Sequence, residues 1–109
     1  LANLTGAVVN LKANVSVIAA IGETPIVTEP LNTYLSTAGT GDLLAGVTGA
    51  LLARHVKQIG VPDQKRMMRI ASLGLRVLST AADISSKQTG IGASDIAANI
   101  HLAAQELAK

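Results

Sequence analysis

Apolar and polar positions change their rhythm once along this chain. Ala7 to Lys12 reads AVVNLK, Val15 to Ile21 is a second β-branched run, and Thr24 to Thr28 (TPIVT) is a third. Such short runs predict strands. The Gly22-Glu23 turn predicts that the second and third pair as a hairpin, and Pro25 suits a strand entry or edge. Glu29 to Ser36, with Pro30, Asn32 and Thr33, reads as a loop. From Gly41 the period becomes helical: Leu43, Leu44, Val47, Ala50, Leu51 and Ala53 recur at helical spacing. This helix is expected to run to about Lys57 and to stop before Gly60 and Pro62. Interior Gly46 and Gly49 cost about 1 kcal/mol each against Ala, which predicts a helix backbone packed closely on a sheet or a ligand.

Pro62-Asp63 opens a second helix with a wide apolar stripe: Met67, Ile70, Ala71, Leu73, Gly74, Val77, Leu78, Ala81, Ala82 and Ile84. Gly90 and Gly92 end it. Ser94-Asp95 is a suitable N-cap start for a third helix carrying Ile96, Ala97, Ile100, Ala103, Ala104 and Leu107. The elements predict an α/β chain of two to three short strands followed by three helices. The helices offer more apolar surface than the strands can cover. That imbalance predicts part of a larger domain, or self-association into a homo-oligomer.

Composition points the same way. In 109 residues there is no Phe or Trp, and Tyr34 is the sole aromatic. A short chain with a core of small aliphatics is marginal. Nine basic and seven acidic residues give a net charge of +2. The basic residues form no stripe, and stacking aromatics are missing, so a nucleic-acid partner is not expected. The absence of cysteine removes disulfides and thiolate metal sites and suits a cytoplasmic protein. No apolar run approaches the length of a membrane span.

The stretch that carries chemistry is Ser36-Thr37-Ala38-Gly39-Thr40-Gly41-Asp42, leading directly into the first helix. A helix N-terminus presents backbone N–H groups without internal partners and the positive end of the macrodipole. Glycines let those groups approach an anion, so the stretch reads as a phosphate cradle. It is not a Walker A loop or a dinucleotide fingerprint, because neither spacing is present. Asp42 has two readings. As a first-turn carboxylate it stabilises the helix. Beside a transferring phosphoryl group it is a base that accepts the proton of the attacking hydroxyl.

Gly39-Thr40-Gly41-Asp42 followed by LLAGVTGALLAR resembles the signature of the ribokinase superfamily, and within it the ADP- or ATP-dependent NAD(P)H-hydrate dehydratases. VVNLKANVSVIA, Ala81-Ala82-Asp83 and Gly92-Ala93-Ser94-Asp95-Ile96 resemble further landmarks of that family in the same order. The family's Lys-Gly is Lys12-Ala13 here, and Leu78-Ser79 stands where a His-Gly pair is common. The resemblance implies a ribokinase-like three-layer fold, with residues 1–109 as the C-terminal part of one domain and the N-terminal half absent. It implies an enzyme, a lyase that repairs hydrated NAD(P)H using ADP or ATP, with Mg2+ expected on the phosphates. It places the nucleotide phosphate at Gly39, Thr40 and Gly41 with Asp42 as base, and Lys12 as a further phosphate contact.

Ala38, Asn14 and Ser16 are weaker candidates for the nucleotide edge. Lys12 also reads as a solvated strand-end lysine. Asp83 and Asp95 read as helix-face and capping residues, Lys65-Arg66-Arg69 as a solvated helix face, and Met67-Met68 as core. His55 and His101 lack metal-ligand spacing, and no metal ligand is assigned. Two other functions remain open: a superfamily kinase for a vitamin precursor or sugar, and a non-catalytic nucleotide-binding module.

Overall fold

The computed structural model describes residues 6–11, 16–28, 39–88, 90 and 92–108. Three short strands, β1 (Val9–Leu11), β2 (Val17–Ala19) and β3 (Ile26–Val27), form an antiparallel sheet in that order. Val9 pairs with Ala19 and Leu11 with Val17 across β1 and β2, while Ile18 pairs with Ile26 across β2 and β3. The β2–β3 hairpin turns where the sequence places it. Gly22 takes φ +74°, a left-handed conformation that glycine adopts at little cost, and the Glu23 N–H donates to Ala20 O at 3.2 Å. The hairpin mouth is closed by Thr28, whose N–H donates to Ser16 O at 2.9 Å and whose Oγ1 accepts the Ser16 N–H at 3.2 Å.

Four helices follow: α1 (Thr40–Gln58), α2 (Gln64–Gln88), α3 (Ala93–Ala98) and α4 (Ile100–Ala108). The α/β class and the strand-then-helix order are as read from the sequence. α1 ends as predicted, with the N–H groups of Ile59 and Gly60 both returning to His55 O at 2.8 and 3.2 Å. Gly60, at φ +126°, supplies the backbone freedom that this C-terminal closure needs. α2 starts at a true cap, Asp63, whose Oδ1 accepts the Arg66 N–H at 2.8 Å.

α2 is the central element, and β2, α1, α3 and α4 all pack on it. Its buried face is Met68, Ile70, Ala71, Gly74, Leu75, Val77, Leu78, Ala81, Ala82 and Ser85. Met68 and Leu75 are therefore core, while Leu73, expected inside, is exposed. Together with Ile18, Ala20, Leu44, Ile96 and Ala103, most of that face makes one continuous hydrophobic cluster. Where α1 crosses α2, a Cβ on Gly74 would lie 2.5 Å from Thr48 Oγ1. The missing side chain of Gly74 thus sets how closely the two helices approach.

Two expectations need correction. The close-packed glycine belongs to α2, because Gly46 and Gly49 of α1 face open space among the described residues. The third helix is also not continuous. It starts at Ala93 after the cap Gly92, with Ser94 exposed, and it breaks at Asn99 into α3 and α4. Asn99 donates from Nδ2 to Asp95 O at 3.0 Å while its backbone N–H turns to Ile96 O at 3.0 Å. The side chain thus takes the carbonyl that a regular helix reserves for the backbone, as Asn does at helix ends. Among the described residues no helix is long and apolar enough to cross a membrane.

Candidate phosphate-binding site

The loop-to-helix junction is built around Gly39, the N-cap of α1, at φ +92° and ψ −11°. A left-handed residue with a side chain costs about 1–2 kcal/mol there. A Cβ on Gly39 would also stand 3.1 Å from Ala93 Cβ of α3. Thr40 is 2% exposed and anchors the first turn in the interior. Gly41 and Asp42 are exposed, and a Cβ on Gly41 would meet nothing within 4 Å. The first helical hydrogen bond runs from Leu43 N–H to Gly39 O at 3.2 Å. Ahead of it, the N–H groups of Gly41 and Asp42 have no acceptor within the helix. Gly39 has no side chain, so the cap residue itself cannot cover the helix end. The start of a helix, with the dipole's positive end and N–H groups that lack helical acceptors, is the kind of place that suits an anion.

Asp42 stands at one end of an apolar groove of about 420 Å³. Leu43, Gly46, Val47 and Leu51 of α1 line it, with Val77 of α2 and Ile100 of α4 opposite. Arg54 sits at the other end, about 18 Å away along the helix axis, too far to pair with Asp42. The apolar stripe of α1 is covered only in part by the described residues: Leu44 is buried and Leu43 and Val47 pack against the core, whereas Ala50 and Ala53 are exposed.

The structure brings Gly39, Thr40, Gly41 and Asp42 together. Lys12, Asn14 and Ala38 lie outside the described residues. Ser16 is completely buried at the hairpin mouth, and its Oγ has no hydrogen-bond partner among the described residues, so it presents no surface to a nucleotide. His101 is exposed, and His55 Nδ1 pairs with Gly60 O at 2.9 Å, closing the C-terminus of α1. Lys65, Arg66 and Arg69 are exposed on α2. Among the described residues no three His, Cys, Asp or Glu side chains cluster to hold a metal ion. The groove and the closeness of Ala93 to the loop were missed by the sequence reading, which took Gly92-Ala93-Ser94-Asp95-Ile96 as a family landmark and a helix start.

No solved structure gives a significant match. An ADP-dependent (S)-NAD(P)H-hydrate dehydratase of Neisseria meningitidis serogroup B is 36% identical over 94% of this chain and 31% of its own length. The protein of the same name from Natrialba magadii is 32% identical over 81% of this chain and 30% of its own length. A bifunctional NAD(P)H-hydrate repair enzyme of Mycobacterium tuberculosis is 50% identical over 49% of this chain and 11% of its own length. The chain therefore spans about a third, or less, of the curated relatives it matches. The model of one family, described as NAD(P)H-hydrate dehydratase, covers residues 1–102, and the chain belongs to that family.

Proposed function

We propose that these residues form the phosphate-holding part of a larger ribokinase-like domain that dehydrates hydrated NAD(P)H at the expense of ADP or ATP. The observation that carries this reading is the N-terminus of α1, where exposed Gly39 and Gly41 and the exposed Asp42 carboxylate share one helix end. The nucleotide's terminal phosphoryl group sits over the backbone of Gly39, Thr40 and Gly41. Asp42 accepts the proton of the substrate hydroxyl as its oxygen bonds to phosphorus, and the bond to the remaining nucleotide breaks. The hydroxyl, poor as a leaving group, becomes a phosphate ester. Phosphate then departs with its C–O bond, a proton leaves the neighbouring ring carbon, and the double bond returns.

The N–H groups work by electrostatic preorganisation: they already point where negative charge accumulates. Asp42 alone does not make a protein-held magnesium site, so magnesium enters this reading only with the nucleotide's own phosphates. Lys12 adds a cation to the same phosphates. The remaining part of the domain, or a second copy, covers the apolar groove, and the work is done in the cytoplasm.

The test is incubation of the full-length protein with hydrated NADH and either ADP or ATP, following return of the reduced-nicotinamide absorbance and release of inorganic phosphate. Nucleotide-dependent recovery with equal phosphate release is expected. A phosphorylated product that keeps its phosphate would show a kinase instead.

A further inference from the structure

The turn ahead of α3 is braced from two sides, and it abuts the phosphate loop. Ser85, fully buried in α2, donates its hydroxyl to Gly90 O, and the Gly90 N–H returns to Ser85 O at 2.8 Å. On the other side stands Asp95. Its Oδ2 accepts the Gly92 N–H at 3.1 Å and lies 2.8 Å from where a Cβ on Gly90 would be. The Ile96 N–H closes on Gly92 O at 3.0 Å. One residue further, Ala93 Cβ lies 3.1 Å from the side-chain position of Gly39, the one such neighbour among the described residues apart from those adjacent in the chain. Gly39 is the cap whose conformation aims the first N–H groups of α1. Ala93 therefore leaves no free room for a side chain at Gly39.

We propose that Asp95 is a positioning residue for the phosphate loop. Its carboxylate fixes the Gly92-Ala93 turn, and Ala93 is the stop against which Gly39 sets the N–H groups of Gly41 and Asp42. The proposal rests on the reading of that loop as a nucleotide-phosphate cradle. Capping of α3 explains the hydrogen bond between Asp95 and Gly92, but it predicts no effect on a ligand held by α1. The contact between Ala93 and Gly39 does predict one.

The experiment compares the full-length protein with D95A, D95N, A93V and D63A. Asp63 caps α2 with the same chemistry at its far end, about 33 Å along the helix from Ser85. ADP affinity is measured by calorimetry, KM for ADP and kcat with hydrated NADH, and Tm by thermal unfolding. D95A should weaken ADP binding about tenfold, the worth of one charge-assisted hydrogen bond. D95N keeps an acceptor oxygen and should restore most of the affinity. A93V should weaken ADP by displacing Gly39. D63A should lower Tm and leave ADP affinity at the parental value. Parental ADP affinity in D95A, with a Tm loss like that of D63A, overturns the proposal. If D95A does not fold, parental affinity in A93V overturns it. A parent that binds ADP without dehydrating hydrated NADH removes the dehydratase reading and leaves this proposal to the affinities. A parent that binds no ADP overturns it.

Discussion

Gly39→Ala is the most informative single perturbation, because its cost divides into two parts that can be measured separately. The backbone at φ +92° penalises any L side chain by about 1–2 kcal/mol. The new methyl group would also stand 3.1 Å from Ala93 Cβ, and overpacking of this kind costs about 1–3 kcal/mol. The sum, about 2–5 kcal/mol, is a large part of the stability of an ordinary domain. Urea unfolding of the full-length protein measures it. Ala93→Gly removes only the second part, so the double variant G39A/A93G should recover about 1–3 kcal/mol relative to the sum of the singles. If the loop yields locally instead, stability is spared and ADP affinity falls. Gly49→Ala is the counterpart: its Cβ would enter open space within a helix, so stability should rise by up to about 1 kcal/mol. A G39A protein with parental stability and parental ADP affinity would refute the geometry assigned to the junction. So would additive single and double variants in a protein that unfolds as one unit.

Three further outcomes are expected. Asp42→Asn should leave helix capping and ADP affinity nearly intact and lower turnover of hydrated NADH by about 10²–10⁴-fold; steady-state kinetics beside calorimetry checks it. Asp63→Ala should cost about 1 kcal/mol in urea unfolding, because the Arg66 N–H loses its acceptor, with kcat unchanged. Ser85→Ala should cost about 1 kcal/mol, since the partly buried Gly90 O loses its donor, and hydrogen exchange at Gly90 should speed up.

Much of the candidate site was legible because it is local. Glycines before an apolar-periodic run predict an exposed helix N-terminus whatever the rest of the fold does, and Gly39 to Asp42 form one. The same holds for the end of α1 before Gly60, for the Asp63 cap and for the Gly22 turn, each fixed by bonds spanning a few residues. The reading of Asp42 as base came from resemblance as much as from spacing. A first-turn carboxylate that caps a helix and one that takes a proton look identical in sequence.

Only the tertiary structure decided which atoms meet. The apolar stripe of α2 shows which side turns inward, but it is too wide for spacing to fix its edges. Packing of β2, α1, α3 and α4 around it places Met68 and Leu75 inside and leaves Leu73 outside. Ser16 looked available to a ligand, yet it is fully buried at the mouth of the β2–β3 hairpin. Asn99 breaks a helix that propensity alone would continue, because its amide reaches Asp95 O. The contact of Ala93 with Gly39 joins segments far apart in the chain. Its distance depends on how α1, α2 and α3 pack together, which no pattern confined to one helix contains.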